Sequence, residues 1–261
     1  MWQEMKPPLT YYGGKQKMVK HILPLIPKHK LYCEPFFGSG AVFFAKEPSE
    51  IEVVNDINGE VINFYKVVRT KFNQLKKEIN ASLHSRKLHK KAGFIYRNPD
   101  MFSDVERAWA VFITSHQSYS SILGSTWACG KTESTTEKKF HNKKISLAQN
   151  LAKRLESVQI ECRDALEVIQ TRDTKDSFFY LDPPYFNSDM GHYGGYKEED
   201  FEKLLQLLSK IKGKFLLSSY PSDLLKKYAK KYKWFMKTID TALCVQGAKR
   251  KRKTEVLTGN Y

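Results

Sequence analysis

Apolar positions along the chain fall into short runs and one-sided helical stripes rather than into a single repeating period. Leu31–Pro35 reads as a strand, Phe36 to Gly40 as a glycine-rich turn, and Ala41–Lys46 as a helix. Ile51–Val54 is a second strand ending at Asn55 and Asp56, and Glu60–Val68 is helical. Further strands are predicted at Ser157–Glu161, Ser177–Leu181, Lys214–Ser218, Trp234–Ile239 and Thr254–Leu257. The helix Glu198–Ile211 carries Phe201, Leu204, Leu205 and Leu208 on one face. Strands that alternate with amphipathic helices predict an α/β fold, a doubly wound and mostly parallel sheet.

The stretch from Arg69 to Lys144 breaks this rhythm. It holds fifteen Lys/Arg against six Asp/Glu, a net of +9, and its second half is rich in Ser, Thr, Gly and aromatic residues. It reads as a separate, inserted lobe. A second basic concentration runs from Lys210 to Lys253 and includes Lys249-Arg250-Lys251-Arg252-Lys253. Because Thr254–Leu257 follows as a strand, that run reads as a basic turn or edge rather than a nuclear address. Over 261 residues the formal charge is +16, which points to a polyanionic partner, since clustered cations release counterions from a phosphate backbone. Cys33, Cys129, Cys162 and Cys244 show neither disulfide nor zinc spacing, and the seven histidines make no ligand pattern, being read as structural or surface residues. A reducing, cytosolic setting is expected. No apolar run suits a membrane span, and the N-terminus lacks a signal-peptide core.

Two places carry chemistry. Asp182-Pro183-Pro184-Tyr185 follows the apolar run Ser177–Leu181, where a buried strand opens into a loop and α/β sheets place their sites. An acid that accepts hydrogen bonds, two prolines that stiffen the turn and an aromatic ring suit a planar group with an exocyclic amine. A strand ended by a tight Pro-Pro turn is the plain alternative. The second place is the turn holding Gly38 and Gly40, with Asp56 at the end of the next strand positioned to take the hydroxyls of a ribose. A dinucleotide turn would have three glycines. Here there are two, preceded by Glu34, a poor neighbour for pyrophosphate and a good one for a cationic sulfonium and amine. S-adenosylmethionine fits that pattern.

In sequence the chain resembles the Dam-like, D12-class DNA adenine-N6 methyltransferases, in the arrangement where the cofactor half precedes the recognition domain and the catalytic motif follows it. The likeness runs through Tyr11-Tyr12-Gly13-Gly14-Lys15, Glu34-Pro35-Phe36-Phe37-Gly38-Ser39-Gly40, Asn55-Asp56-Ile57-Asn58, Arg163-Asp164, Asp182–Tyr185 and Phe215-Leu216-Leu217-Ser218-Ser219. The first segment departs conservatively from Lys-Trp-x-Gly-Gly-Lys at Thr10 and Tyr11. The resemblance implies a Rossmann-like methyltransferase sheet formed by 1–68 and 145–261, with 69–144 as an inserted, mainly helical target-recognition domain carrying a β-hairpin. It implies that Tyr11 and Lys15 touch the cofactor, Glu34 and Phe36 line its methionine end, Asp56 holds its ribose and Asp164 meets its adenine. A solvated lysine, a helix N-cap and a core aromatic are the plain alternatives for Lys15, Asp164 and Phe36.

On this reading the partner is double-stranded DNA, no protein partner is signalled, and the transfer calls for no metal. The target adenine leaves the duplex and stacks on Tyr185, while Asp182 and the Pro183 carbonyl accept its N6 hydrogens. Tyr119, Ser125 and Trp127 are candidates to meet bases, Trp127 being as well suited to a hairpin core. Lys138, Lys139, Lys143 and Lys144 are candidates to meet phosphates. Relatives that read GATC carry Asn-Gly-x-x-Arg after an aromatic residue. Here Tyr119-Ser120-Ser121-Ile122-Leu123-Gly124-Ser125 stands in its place, so GATC is not carried over. The alternatives are a cytosine-N4 enzyme, which usually shows Ser at the position of Asp182, and a catalytically idle, cofactor-sensing DNA-binding protein.

Overall fold

The computed structural model describes residues 4–130, 135–187, 195–242 and 252–261. Among the described residues there are seven strands: β1 (Leu31–Glu34), β2 (Ile51–Asn55), β3 (Gln159–Glu161), β4 (Ser177–Leu181), β5 (Lys214–Ser219), β6 (Phe235–Ala242) and β7 (Arg252–Gly259). They form one sheet in the order β3-β2-β1-β4-β5-β7-β6. β1 runs parallel to β4 and β4 to β5, whereas β7 is antiparallel to both β5 and β6. The chain begins at the centre of the sheet, winds outward through β2 and β3, then returns beside β1 with β4. That reversal is a topological switch point, and the loops leaving β1 and β4 open beside it. In β4 all five residues are buried, which is why the strand reads as a continuous apolar run.

Helices α1 (Val19–Ile22), α2 (Ala41–Ala45), α3 (Gly59–Thr70), α4 (Phe72–Ala81), α5 (Arg86–Arg97), α6 (Asp104–Gln117), α7 (Thr135–Ser146) and α8 (Gln149–Leu155) belong to the first half of the molecule. Helices α9 (Ala165–Arg172), α10 (Glu198–Leu208) and α11 (Asp223–Tyr232) alternate with the later strands. Among the described residues no helix is long and apolar enough to cross a membrane.

Two compact units emerge. One comprises Met1–Leu23, Phe37–Pro48 and Val54–Cys162; the other comprises Pro24–Phe36, Ser49–Val53 and Arg163–Tyr261. In the second unit, Phe179, Leu181, Phe215 and Leu217 from β4 and β5 pack with Val168, Phe201, Leu204, Leu205 and Leu225 from the helices around them, all essentially inaccessible. The apolar face read on Glu198–Ile211 is the face that α10 buries, the helix itself ending at Leu208. In the first unit α6 is the central helix. Residues Ala108 to Ser115 are buried, Phe112 stacks on Phe64, and the Trp109 indole donates to Ser82 Oγ at 2.7 Å. Arg107 grips Glu60 through Nε at 3.0 Å.

The expected hairpin of the inserted segment is reduced, among the described residues, to a single antiparallel bridge between Ser118 and Trp127. The reason lies in the backbone. Ser120 and Ser121 have φ of 54° and 57°, left-handed values that turn the chain away from an extended ladder. The side chains of the basic run Lys249-Arg250-Lys251-Arg252-Lys253, together with Cys244 and His192, lie outside the described residues.

Helix α6 starts with a reciprocal cap. Ser103 accepts from the Glu106 N–H at 3.4 Å, and Glu106 Oε2 accepts from the Ser103 N–H at 3.1 Å. Ser103→Ala is therefore expected to lower stability by ~1 kcal/mol, measured as a shift of the urea midpoint at unchanged slope. An unmoved midpoint would show that the cap does not hold this helix.

Candidate active site

In the second unit the parallel register of β1 with β4 sets Cys33 beside Phe179, so Glu34-Pro35-Phe36 and Asp182–Tyr185 leave adjacent strands at the same end. Glu34 is 2% exposed, an unusual place for a carboxyl group. It accepts a hydrogen bond of 2.5 Å from the Tyr32 hydroxyl, and burial together with the Glu34 charge holds that phenol well above its ordinary pKa, so it stays a donor. Phe36 is half-buried against the core of this unit, so the plain reading of it as a core aromatic is met without removing it from the loop.

After β4, Pro183 is buried and Asp182 half-buried. The Tyr185 hydroxyl donates to Asp182 Oδ1 at 3.2 Å, and the Tyr185 ring meets Tyr220 edge to face with centroids 4.4 Å apart. Burial, then the Asp182 and Glu255 charges, push the Tyr185 pKa well up, so the ring carries a proton to donate. Beneath this turn the Tyr180 hydroxyl and Ser218 Oγ lie 3.0 Å apart, tying β4 to β5. Asn187 Nδ2 donates to Pro221 O at 3.2 Å, tying the loops that follow those strands. Asp164 is the N-cap of α9: its Oδ1 accepts from Leu166 N at 2.8 Å and from Glu167 N at 3.3 Å. Sequence analysis assigned it to an adenine and offered this cap as the alternative; the cap is present.

In the first unit Asp56 receives two backbone donors. Oδ2 accepts from Gly38 N at 2.8 Å and Oδ1 from Asn58 N at 2.9 Å. Burial raises its pKa and the two N–H bonds lower it, with burial the larger effect. The glycines of the turn answer to the chain itself. Gly38 has φ +47° with the Tyr11 ring 3.5 Å from where a Cβ would stand, and a Cβ on Gly40 would fall 2.6 Å from the Phe37 ring at φ +67°. Helix α2, entered through Gly40, is a five-residue turn.

The segment before this turn is anchored too. Lys15 is 5% exposed, not a solvated lysine, and its Nζ donates to Gly13 O at 2.8 Å. Thr10, directly before Tyr11, is fastened to the end of α6. Its N–H donates to Ser115 Oγ at 3.0 Å, Ser115 Oγ donates back to Thr10 O at 2.5 Å, and Thr10 Oγ1 lies 3.2 Å from His116 Nδ1. His116 Nε2 lies 2.9 Å from Pro8 O, which fixes the proton on Nε2 and leaves Nδ1 to accept from Thr10. His116 is thus a structural residue, as read, but one that holds the motif. No sequence signal announces a contact between residues 106 positions apart.

Of the recognition candidates, Tyr119 is 62% exposed and Lys138 and Lys139 are exposed. The Ser125 N–H donates to Ile122 O at 3.1 Å inside its turn. Trp127 is half-buried between partners, its ring 5.0 Å from that of His84 and 4.6 Å from the Arg86 guanidinium. Lys143 and Lys144 differ from expectation. Lys143 Nζ donates to Pro7 O at 3.4 Å, and Lys144 Nζ donates to Asn80 O and Ser82 O, each at 2.8 Å, so both ammonium groups serve the fold.

Residues 11–250 match the family model described as D12 class N6 adenine-specific DNA methyltransferase. The type II methyltransferase M.MjaIII of Methanocaldococcus jannaschii is 30% identical over 252 residues, covering 84% of this chain and 86% of its own. The type II methyltransferase M1.LlaDCHI of Lactococcus lactis subsp. cremoris is 27% identical over 281 residues, covering 98% of this chain and 96% of its own. A shorter match, 38% over 63 residues, links 24% of this chain to 8% of the DNA N-6-adenine-methyltransferase of Escherichia phage P1.

His116 titrates far from its ordinary range: loss of water, then the Lys143 charge, push its pKa down to about 3 from 6.5. The unfolded chain therefore takes up a proton that the folded one refuses, and stability falls as pH drops from about 6.5 toward about 3. In His116→Gln that acid limb should flatten by ~2–4 kcal/mol, read from urea titrations across the window. Parallel curves for the two proteins would show that His116 is not the group being protonated.

Proposed function

Because the chain belongs to the D12 class of N6 adenine-specific DNA methyltransferases, we propose that it moves a methyl group from S-adenosylmethionine to N6 of an adenine turned out of double-stranded DNA. The observation that carries this reading is the turn after β4, where Asp182 is oriented by the Tyr185 hydroxyl at a strand end beside the switch point.

The donor chemistry suits the cofactor. Asp56 has each oxygen engaged by one backbone N–H, which leaves the further lone pairs of both oxygens to accept from ribose hydroxyls. Glu34, which accepts from the neutral Tyr32 phenol, suits a cationic amine or sulfonium. Tyr11 and Lys15 are assigned to the same ligand, Phe36 to its methionine end and Asp164 to its adenine. S-adenosylmethionine supplies a methyl group on a positively charged sulfur. Everything else falls to the chain and the DNA.

Adenine N6 is a weak nucleophile because its lone pair is shared with the ring. The Asp182 carboxylate and the Pro183 carbonyl accept its two hydrogens, which biases the nitrogen toward tetrahedral geometry and exposes that lone pair. Turning the base out costs a few kcal/mol, and stacking on Tyr185 returns ~1–3 kcal/mol of it. The methylated nitrogen is strongly acidic and releases its proton after transfer, so Asp182 need only accept hydrogen bonds. Residues 69–144 read the DNA, Lys138 and Lys139 meeting phosphates and Tyr119 a base. The type II names of the two long relatives favour a modification enzyme of a restriction system, with a solitary methyltransferase as the other setting.

Asp182→Ala should lower transfer of tritiated methyl groups to duplex DNA at least ~10²-fold while cofactor affinity holds within a few-fold. Turnover near that of the wild type would remove Asp182 from the mechanism. Asp56→Ala should do the reverse, weakening S-adenosylmethionine binding by ~1.5–3 kcal/mol in a calorimetric titration, with turnover largely recovered at saturating cofactor. Unchanged affinity would mean that the ribose lies elsewhere. Lys138→Ala combined with Lys139→Ala should weaken DNA binding on every sequence alike and flatten its salt dependence by ~1–2 units of slope; an unaltered slope would move the phosphates to another surface.

A further inference from the structure

The loop from Tyr119 to Gly130 contains no charged residue. A side chain that reads a guanine beside it with two parallel hydrogen bonds must therefore come from another element. One guanidinium is already there. Arg86 stands 4.6 Å over the ring of Trp127, the residue that closes the loop by its bridge to Ser118.

Three features set this arginine apart from an ordinary surface cation. The backbone just before it is fixed to the root of the loop: the Ser85 N–H donates to Gln117 Oε1 at 3.1 Å and Gln117 Nε2 donates to Leu83 O at 3.0 Å. His89 Nε2 lies 2.8 Å from Ser118 Oγ one turn further along the same helix. Arg86 also opens α5, whose first turn holds no acidic residue, so a cation sits where the helix dipole disfavours it. Finally, Arg86 is exposed, and no carboxylate pairs with it among the described residues. Stacking on an aromatic ring holds the planar fork of an arginine in one orientation without using its N–H donors, which point outward from the stack.

We propose that Arg86, held over the Trp127 ring, is a specificity-determining residue that reads a guanine of the recognition site through its O6 and N7 acceptors. The inference rests on the assignment of residues 69–144 to DNA recognition.

The test uses the full-length protein, S-adenosylmethionine and a duplex library randomised over the methylated site, read by long-read sequencing. It compares wild type with Arg86→Lys and Arg86→Ala. Arg86→Lys keeps the charge and loses the fork. It should leave the salt slope of DNA binding within experimental error of wild type while discrimination at a single G·C pair falls ~10-fold or more. Arg86→Ala should lose the same discrimination. Because Arg86 is exposed, both variants should melt close to wild type. Unchanged site preference in both variants overturns the proposal, whether or not the melting point falls. Weaker binding on all sequences, with a salt slope reduced by ~1 in Arg86→Ala and restored in Arg86→Lys, also overturns it by making Arg86 a phosphate contact. A wild-type protein that methylates no duplex is a failure of the broader reading, and is distinguishable because no site profile exists to compare.

Discussion

The Asp56 carboxylate receives the backbone N–H groups of Gly38 and Asn58, and this pair of bonds joins the turn after β1 to the end of β2. The rest of the first unit is arranged around it. Gly38 can present its N–H only by adopting positive φ, and Tyr65 holds the same residue by donating its hydroxyl to Gly38 O at 2.9 Å. Asn58, having given its N–H to Asp56, uses its side chain to cap α3 by accepting from Glu60 N at 3.0 Å. Two N–H bonds would ordinarily hold a carboxylate below its usual range, yet burial outweighs them here. A carboxylate left short of donors in that way is a favourable acceptor for two further hydroxyl groups, since each bond offsets part of a desolvation cost the fold has already met.

Charge is divided by task in the same unit. Arg107, Lys143 and Lys144 are cations whose donors end on Glu60 or on main-chain carbonyls, and Lys76 Nζ likewise donates to Leu147 O at 2.7 Å. The Lys76 and Lys143 ammonium groups lose water and have depressed pKa values as a result. Sequence counts all of these toward a basic surface. The fold removes them from it, while Arg86, Lys87, Lys90, Lys138 and Lys139 stay exposed. A net charge of +16 therefore states that a polyanion is attracted, while burial and carbonyl partners decide where it can be met.

How much was legible in the sequence follows the range of the forces involved. β4 has the predicted bounds Ser177–Leu181, because a strand buried on both faces is an uninterrupted apolar run. β6 and β7 are longer than their sequence signal, since pairing with each other extends both beyond their apolar residues. The turn motifs were legible because their chemistry is local: Asp182 and Tyr185 are three residues apart and bond to each other. The Thr10 clamp was not, because a histidine and a serine at the end of a helix carry no mark of a partner 105 or 106 residues away. Among the described residues the expected hairpin is shortened to the Ser118–Trp127 bridge, for a local reason that composition hides. Serine is no strong breaker, and the left-handed pair Ser120 and Ser121 is imposed by the surrounding loop.

Within the first unit the residues assigned to cofactor and to DNA share supports. One line runs from Asp56 through Asn58, whose Nδ2 donates to the Tyr96 hydroxyl at 2.9 Å, to Gly124, where an added Cβ would stand 3.7 Å from the Tyr96 ring. The other runs along α6, where Ser115 and His116 hold Thr10, Gln117 holds Leu83 and Ser85, and Ser118 begins the loop. Contiguity of this kind is not itself coupling; energy passes between two sites only if the connecting element has two arrangements with different affinities.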